Sequence, residues 1–259
     1  MNFQQAARHR PGFARKPRVL SLKVLIMKLD KAKAIVAGGT GGVGEGIVRA
    51  FLKQGAHVVV PSRSESKLEG LRKYVEDIRT GELVTLVGSL SNPSEADALR
   101  DEVYKRMGEI NVAVASLGGW DQGPPITDVA FEAWERILRD NLTSHFLAMK
   151  AFVPLLAPQR GAYVHINGFS AEQPFPGAAP VAAMAAAQKA LALTLAEEVR
   201  SAGLRVYELI LGPIKTRARL RYGHGQPEWF SPEEIGDHIV ELLERQDEEV
   251  LHRLMSKPR

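Results

Sequence analysis

Apolar positions fall into two alternating patterns along the chain. Short, nearly continuous apolar runs stand at 34–37, 56–61, 83–87, 112–115, 162–166 and 204–211. Runs of that length with no polar alternate predict strands buried on both faces. Between them the apolar residues return at helical spacing. Ile47, Val48, Ala50, Phe51 and Leu52 predict a first helix, and Leu68, Leu71, Val75 and Ile78 one face of a second over 66–78. Ser94 is expected to cap a helix running to Met107, with Asp97 as an acid in its first turn. A long helical stretch over 132–156 should break near Pro154, and an alanine-rich helix should cover 181–200. A short last strand is expected within 250–255. Strands alternating with helices predict an α/β fold: a single doubly wound parallel sheet of Rossmann type with helices on both faces.

In such sheets the reactive groups gather beyond the carboxyl ends of the strands. The first strand runs into Gly38-Gly39-Thr40-Gly41-Gly42-Val43-Gly44-Glu45-Gly46 and then a helix. Glycine lets the turn be tight and the backbone approach a pyrophosphate, while free N–H groups at the helix start face the anion. The second strand ends in Ser62-Arg63-Ser64, where a dinucleotide places its adenosine ribose. Arg63 there suits the 2′-phosphate of NADP, with a serine hydroxyl as an added donor. The alternative is a solvated surface arginine. NADP(H) is the expected cofactor, and NAD(H) stays open. Ser89, Gly118, Ser170 and Gly212 occupy the matching place after later strands, so one shared site is expected.

Composition sets the frame. Of 259 residues, 45% are hydrophobic and 25% charged, which suits one globular domain, taken as 27–259. There is no cysteine, so disulfide and thiolate chemistry are excluded. No apolar run is expected to span a bilayer, and a cytoplasmic location is expected. The net charge of +4 hides an asymmetry. Residues 1–26 hold six basic groups and no acid, which leaves 28 basic against 30 acidic residues in the remainder. Three readings of this leader compete: a transit peptide, a basic arm for nucleic acid or anionic lipid, and sequence upstream of a true start at Met27. The last is preferred, because the fold needs nothing before Lys31. A nucleic-acid or membrane partner is not expected of the mildly acidic remainder. His57, His145 and His165 lack metal-site spacing, so no metal is expected, and His165 alone stands close enough to Ser170 to act as a proton donor.

From these residues the chain resembles the short-chain dehydrogenase/reductase family over about 31–245. The glycine turn is similar to that family's Thr-Gly-x-x-x-Gly-x-Gly, with Ala37 in the threonine place and Gly38, Gly42 and Gly44 as the glycines. Asn141-Leu142-Thr143 resembles its mid-helix asparagine motif and Asn167-Gly168-Phe169-Ser170 its serine segment. Gln188-Lys189-Ala190-Leu191 resembles the end of its Tyr-x-x-x-Lys stretch, and Gly212-Pro213-Ile214-Lys215-Thr216 its nicotinamide loop. The resemblance implies cofactor contacts from Gly38, Thr40, Gly42, Val43 and Gly44. It adds Ser62, Arg63, Ser89, Leu90 and Gly118, then Lys189, Pro213, Ile214 and Thr216. Ser170, Lys189 and Asn141 are the implied catalytic residues.

The departures are specific. With Lys189 as the motif lysine, the tyrosine place holds Ala185, and no tyrosine stands between Tyr163 and Tyr207. A positioned proton donor is worth about 10²–10⁴ in rate. Ser89 replaces the family's acid after the third strand, and Ala115-Ser116-Leu117-Gly118 keeps only the glycine of Asn-Asn-Ala-Gly. The expected function is an NADP(H)-dependent oxidoreductase acting on a small carbonyl or activated double bond. The alternative is a non-catalytic NADP-binding sensor or scaffold. The partner is a small-molecule substrate, and the resemblance implies a homodimer or homotetramer. Trp120, Phe175 and Trp229 are candidates for an apolar pocket wall.

Overall fold

The computed structural model describes residues 27–257; the basic leader and the question of its role lie outside them. Seven strands form one sheet: β1 (Lys33–Ala37), β2 (His57–Ser62), β3 (Glu82–Val87), β4 (Val112–Ala115), β5 (Ala162–Gly168), β6 (Arg205–Leu211) and β7 (Leu251–Leu254). Their order is β3-β2-β1-β4-β5-β6-β7, with every pair parallel. The order reverses between β1 and β4. That switch opens a crevice at the strands' carboxyl ends.

The strands' alternate residues serve two cores. Ala34 and Val36 of β1 face α1 (Gly44–Lys53) and α8 (Pro232–Arg245) with Ile47, Phe51, Ile235 and Ile239. Ile35 and Ala37 face α3 (Pro93–Met107), α5 (Ser144–Phe152) and α6 (Ala179–Val199) with Leu99, Val103, Phe152 and Ala192. Each face is covered, which is why the strands read as unbroken apolar runs. α2 (Glu65–Tyr74) lies beside β2 and β3, and α4 (Phe131–Leu138) precedes α5. Where α8 crosses α1, a Cβ on Gly46 would stand 2.2 Å from the Pro232 carbonyl carbon, so only glycine permits that approach.

Several expectations change. Asn92 caps α3: its Oδ1 accepts from Glu95 N at 3.0 Å, Pro93 opens the helix, and Glu95 is the first-turn acid. Proline suits a first helical position, where no N–H is needed. The stretch over 132–156 is α4 and α5 joined by a π-helical turn, Arg139–Thr143, that carries Asn141. α8 was not anticipated, although Ser231 and Glu234 form a reciprocal capping box at its start. The segment Ala179–Ala202 is long and apolar enough to cross a membrane, contrary to expectation, with mean hydropathy 1.3 and 39% of its most apolar window buried. It packs here against β5, β6 and α4.

Candidate functional site

The carboxyl ends of β1, β2 and β4 enclose a cavity of about 320 Å³, and those of β4, β5 and β6 a second of about 670 Å³. The two share Gly41, Ser116, Leu117 and Gly118. The turn after β1 forms their common floor. Gly38 has φ +82°, and a Cβ there would fall 1.9 Å from Ser116 O. The backbone N–H groups of Thr40, Gly42 and Val43 donate to no protein acceptor among the described residues, and α1 has no side-chain cap. Three free donors at the start of a ten-residue helix form an anion site. These residues fit a dinucleotide pyrophosphate.

One acid stands in that first turn. Glu45 is 6% exposed, and Arg217 donates to its carboxylate through Nε at 2.7 Å and through Nη2. The Arg217 guanidinium also lies 4.0 Å over the Tyr74 ring. Arg217 opens α7 (Arg217–Arg221), directly after Thr216, so this pair ties the β6 loop to α1 and offsets the negative charge beside the anion site.

The smaller cavity is lined by Gly38, Thr40, Ser62, Arg63, Ser89 and Leu90 among the expected cofactor residues. Arg63 is exposed and has no hydrogen bond or ion pair among the described residues. Lys67, which the sequence reading missed, lines the same end. Hydrogen bonds from Ser89 and Ser91, and beyond them the Arg63 charge, hold the Glu95 carboxyl below its ordinary value. The larger cavity is lined by Gly42, Val43, Asn141, Ser170, Ile214 and Thr216, with Pro213 beside them. The Gly42 backbone runs under Thr216, whose Cγ2 is 2.9 Å from where a Cβ would be. Gly44 lines neither cavity; it packs against the Gly38 carbonyl instead.

The structure does not bring Lys189 to either cavity. Its Nζ pairs with Glu172 at 2.6 Å, and Arg253 donates to the same carboxylate from Nε and Nη2, each at 2.8 Å. The Arg253 and Lys189 hydrogen bonds hold Glu172 down to about 2. The α6 residues that do line the larger cavity are Val181, Ala185 and Gln188. Val181 and Ala185, four apart, therefore hold the places one turn apart that face the cavity.

Asn141 works through its backbone and amide. Its Oδ1 accepts from Gly119 N at 2.8 Å and its carbonyl accepts from Gln188 Nε2. The Ser170 hydroxyl has no partner among the described residues and lies 3.8 Å from where a Gly168 Cβ would stand.

His165 is not a donor to the cavity. It is fully buried, with Nδ1 donating to Glu208 at 2.5 Å. Glu208 also accepts from Asn167 Nδ2 at 2.9 Å, and that amide donates to Ala185 O at 2.9 Å. The His145 ring lies 4.4 Å from His165, and burial, then the neighbouring His165, pushes His145 well below its ordinary value. This polar cluster holds the cavity-facing turn of α6 from beneath.

Trp120, Phe169, Phe175 and Trp229 form the apolar wall of the larger cavity. Trp120 stacks on Phe169 at 5.9 Å and meets Phe175 edge-on at 4.8 Å. Among the described residues no three metal-ligating side chains converge.

Residues 32–226 match the family described as short chain dehydrogenase, and the chain belongs to it. It is an oxidoreductase-family chain with a nicotinamide-dinucleotide fold. Among curated relatives it is 31% identical over 194 residues to 1-deoxy-11-beta-hydroxypentalenate dehydrogenase of Streptomyces exfoliatus, covering 73% of this chain and 70% of that protein. Among solved structures it resembles L-sorbose reductase from Gluconobacter frateurii complexed with NADPH and L-sorbose, with TM-score 0.79 and 21% identity. That match covers 89% of this chain and 98% of the reductase. It also resembles an NADPH-bound short chain oxidoreductase from Pseudomonas aeruginosa PAO1 described as containing an atypical catalytic center. There the TM-score is 0.77 at 21% identity, over 86% of this chain and 95% of that one.

Proposed function

We propose that this chain binds NADP(H) in preference to NAD(H) and moves a hydride to or from a carbonyl or activated double bond of a small molecule, without a tyrosine acid. The observation that carries the cofactor choice is Arg63 with Lys67 at the end of the smaller cavity, neither of them in an ion pair among the described residues. Two cations beside Ser62 and Ser64 suit a phosphate monoester. The bound nicotinamide would supply or take the hydride. Thr40, Gly42 and Val43 hold the pyrophosphate, and Pro213, Ile214 and Thr216 the nicotinamide end.

No tyrosine, lysine, histidine or carboxylate lines the larger cavity. Ser170 hydrogen-bonds the substrate oxygen, and the proton comes from water or from the substrate. A second reading, an NADP-binding sensor or scaffold, draws on the same observation: the α6 residues that face the cavity, Val181 and Ala185 among them, include no tyrosine or lysine. The Pseudomonas protein is a parallel, since it is described as NADPH-bound with an atypical center. A homodimer or homotetramer is proposed on family resemblance.

NADPH oxidation at high enzyme concentration across a panel of ketones, aldehydes and enones tests the enzyme reading. Sustained turnover on one class supports it. Cofactor binding that raises the melting temperature, with no turnover on any, favours the sensor.

A further inference from the structure

The wall of the larger cavity carries little unspent polarity. Asn167 is fully committed: its Nδ2 donates to Ala185 and Glu208, and its Oδ1 accepts from Gly168 N at 2.8 Å. The Asn141 Oδ1 is held by Gly119, and Thr216 Oγ1 accepts from Arg219 N at 3.3 Å. Among the described residues, the Ser116 and Ser170 hydroxyls, the Trp120 and Trp229 indole N–H groups, the Gln188 side-chain oxygen and one cation remain without a hydrogen-bonded or ionic partner that would satisfy them.

That cation is Arg219, the single charged residue on the cavity's lining. Its Nη1 donates to Ile214 O at 3.0 Å, and its guanidinium lies 5.6 Å over the Trp229 ring. These two contacts aim the side chain. Neither neutralises it, and no carboxylate pairs with it among the described residues. An unpaired guanidinium beside aromatic walls is a preorganised acceptor of an anion, and its planar fork matches a carboxylate. One cation with a donor already spent on Ile214 suits a monoanion. A phosphate dianion calls for more positive charge than the cavity holds. The aromatic faces of Trp120, Phe169 and Phe175 leave the rest of the space to an apolar body.

We propose that the larger cavity takes a carboxylic acid with a bulky aromatic or polycyclic body. Its carboxylate pairs with Arg219, its ring lies on the wall of Trp120 and Phe175, and its reacting oxygen meets Ser170. This rests on the proposed function for the reacting end, but the recognition itself needs only the cavity.

The test is calorimetric titration with 2-naphthoate and its neutral isostere 2-naphthamide, without cofactor and again with saturating NADP⁺. NADPH binding is measured separately, so a failed cofactor reading and a failed ligand reading give different results. The expected result is naphthoate binding about tenfold or more tighter than naphthamide. Arg219→Gln should remove that preference while keeping naphthamide binding, and Arg219→Lys should restore part of it. Equal binding of the two probes by the wild-type chain would overturn the proposal. So would no binding of either probe. An Arg219→Gln variant that keeps the preference but loses NADPH affinity would overturn it too, by assigning the arginine to the cofactor phosphates.

Discussion

Arg217, the first residue of α7, reaches back to Glu45 in the first turn of α1, with Nε 2.7 Å from Oε1. A buried carboxylate beside three free N–H donors would repel an incoming phosphate if it stood alone. The guanidinium offsets that charge and closes the β6 loop over the glycine turn.

Arg217→Ala is therefore expected to weaken NADPH binding about tenfold and to cost about 1 kcal/mol of stability, the latter reduced by solvent at the half-exposed arginine. Adding Glu45→Gln to Arg217→Ala should recover most of the binding, because no repelling charge is left. Fluorescence titration and urea denaturation of the two variants read both effects. Unaltered affinity in Arg217→Ala would rule out the charge argument.

The inward face of α6 sets a second prediction. Since Lys189 is paired with Glu172, Ala185→Tyr beside it does not rebuild the family's pair. Val181→Tyr with Ala185→Lys places both groups on the cavity wall, one turn apart. That double variant should gain about 10² or more in carbonyl reduction, and Ala185→Tyr alone should gain nothing. Steady-state rates on one reactive aldehyde suffice. A gain in Ala185→Tyr alone would restore Lys189 to the mechanism.

How far the sequence could be read depended on whether polarity marked a phase. The strand ends and the glycine turn were legible because glycine, serine and arginine interrupt otherwise continuous apolar runs, as at Ser62-Arg63. The aromatic wall was legible only as Trp120, Phe175 and Trp229, and Phe169 joins it in space. The facing of α6 was not legible. Its residues are apolar nearly all round, so a shift from Lys189 to Gln188 leaves no trace in the pattern. Arg219 and Lys67 carry no mark in the sequence, since only folding gathers them at the cavities. α8 carried its own signal in Ser231-Pro232-Glu233-Glu234, which is a capping box preceding an apolar stripe.

Acid should loosen the segment that holds Ser170. Glu172 binds Lys189 and Arg253, and its carboxyl is held down to about 2. A carboxylate depressed in the fold stabilises above its unfolded value, and that stabilisation disappears as the pH falls through the folded one. Glu172→Gln should therefore lower the melting temperature at neutral pH. The gap to the wild type should narrow as pH falls from about 5 towards 2. Scanning calorimetry at stepped pH shows this. A gap that stays constant down to pH near 2 would mean that Glu172 contributes through packing alone.

Arg63 and Lys67 should act on one cofactor only. Arg63→Ala is expected to weaken NADPH binding about tenfold or more while leaving NADH unchanged, and Lys67→Ala to do the same more weakly. Raising the salt concentration should reduce the wild-type preference, because both cations are exposed. Equal losses for both cofactors would reassign Arg63 to the shared part of the molecule.

The most direct measurement is a fluorescence titration of the wild-type chain with NADPH and, in parallel, NADH. The free N–H donors at α1, with Arg63 after β2 and Lys67 in the first turn of α2, predict saturable binding that is tighter for NADPH. Tighter binding of NADH would contradict the assignment of Arg63 while leaving the fold intact. No binding of either at millimolar concentration would contradict the central claim that this crevice is a working dinucleotide site.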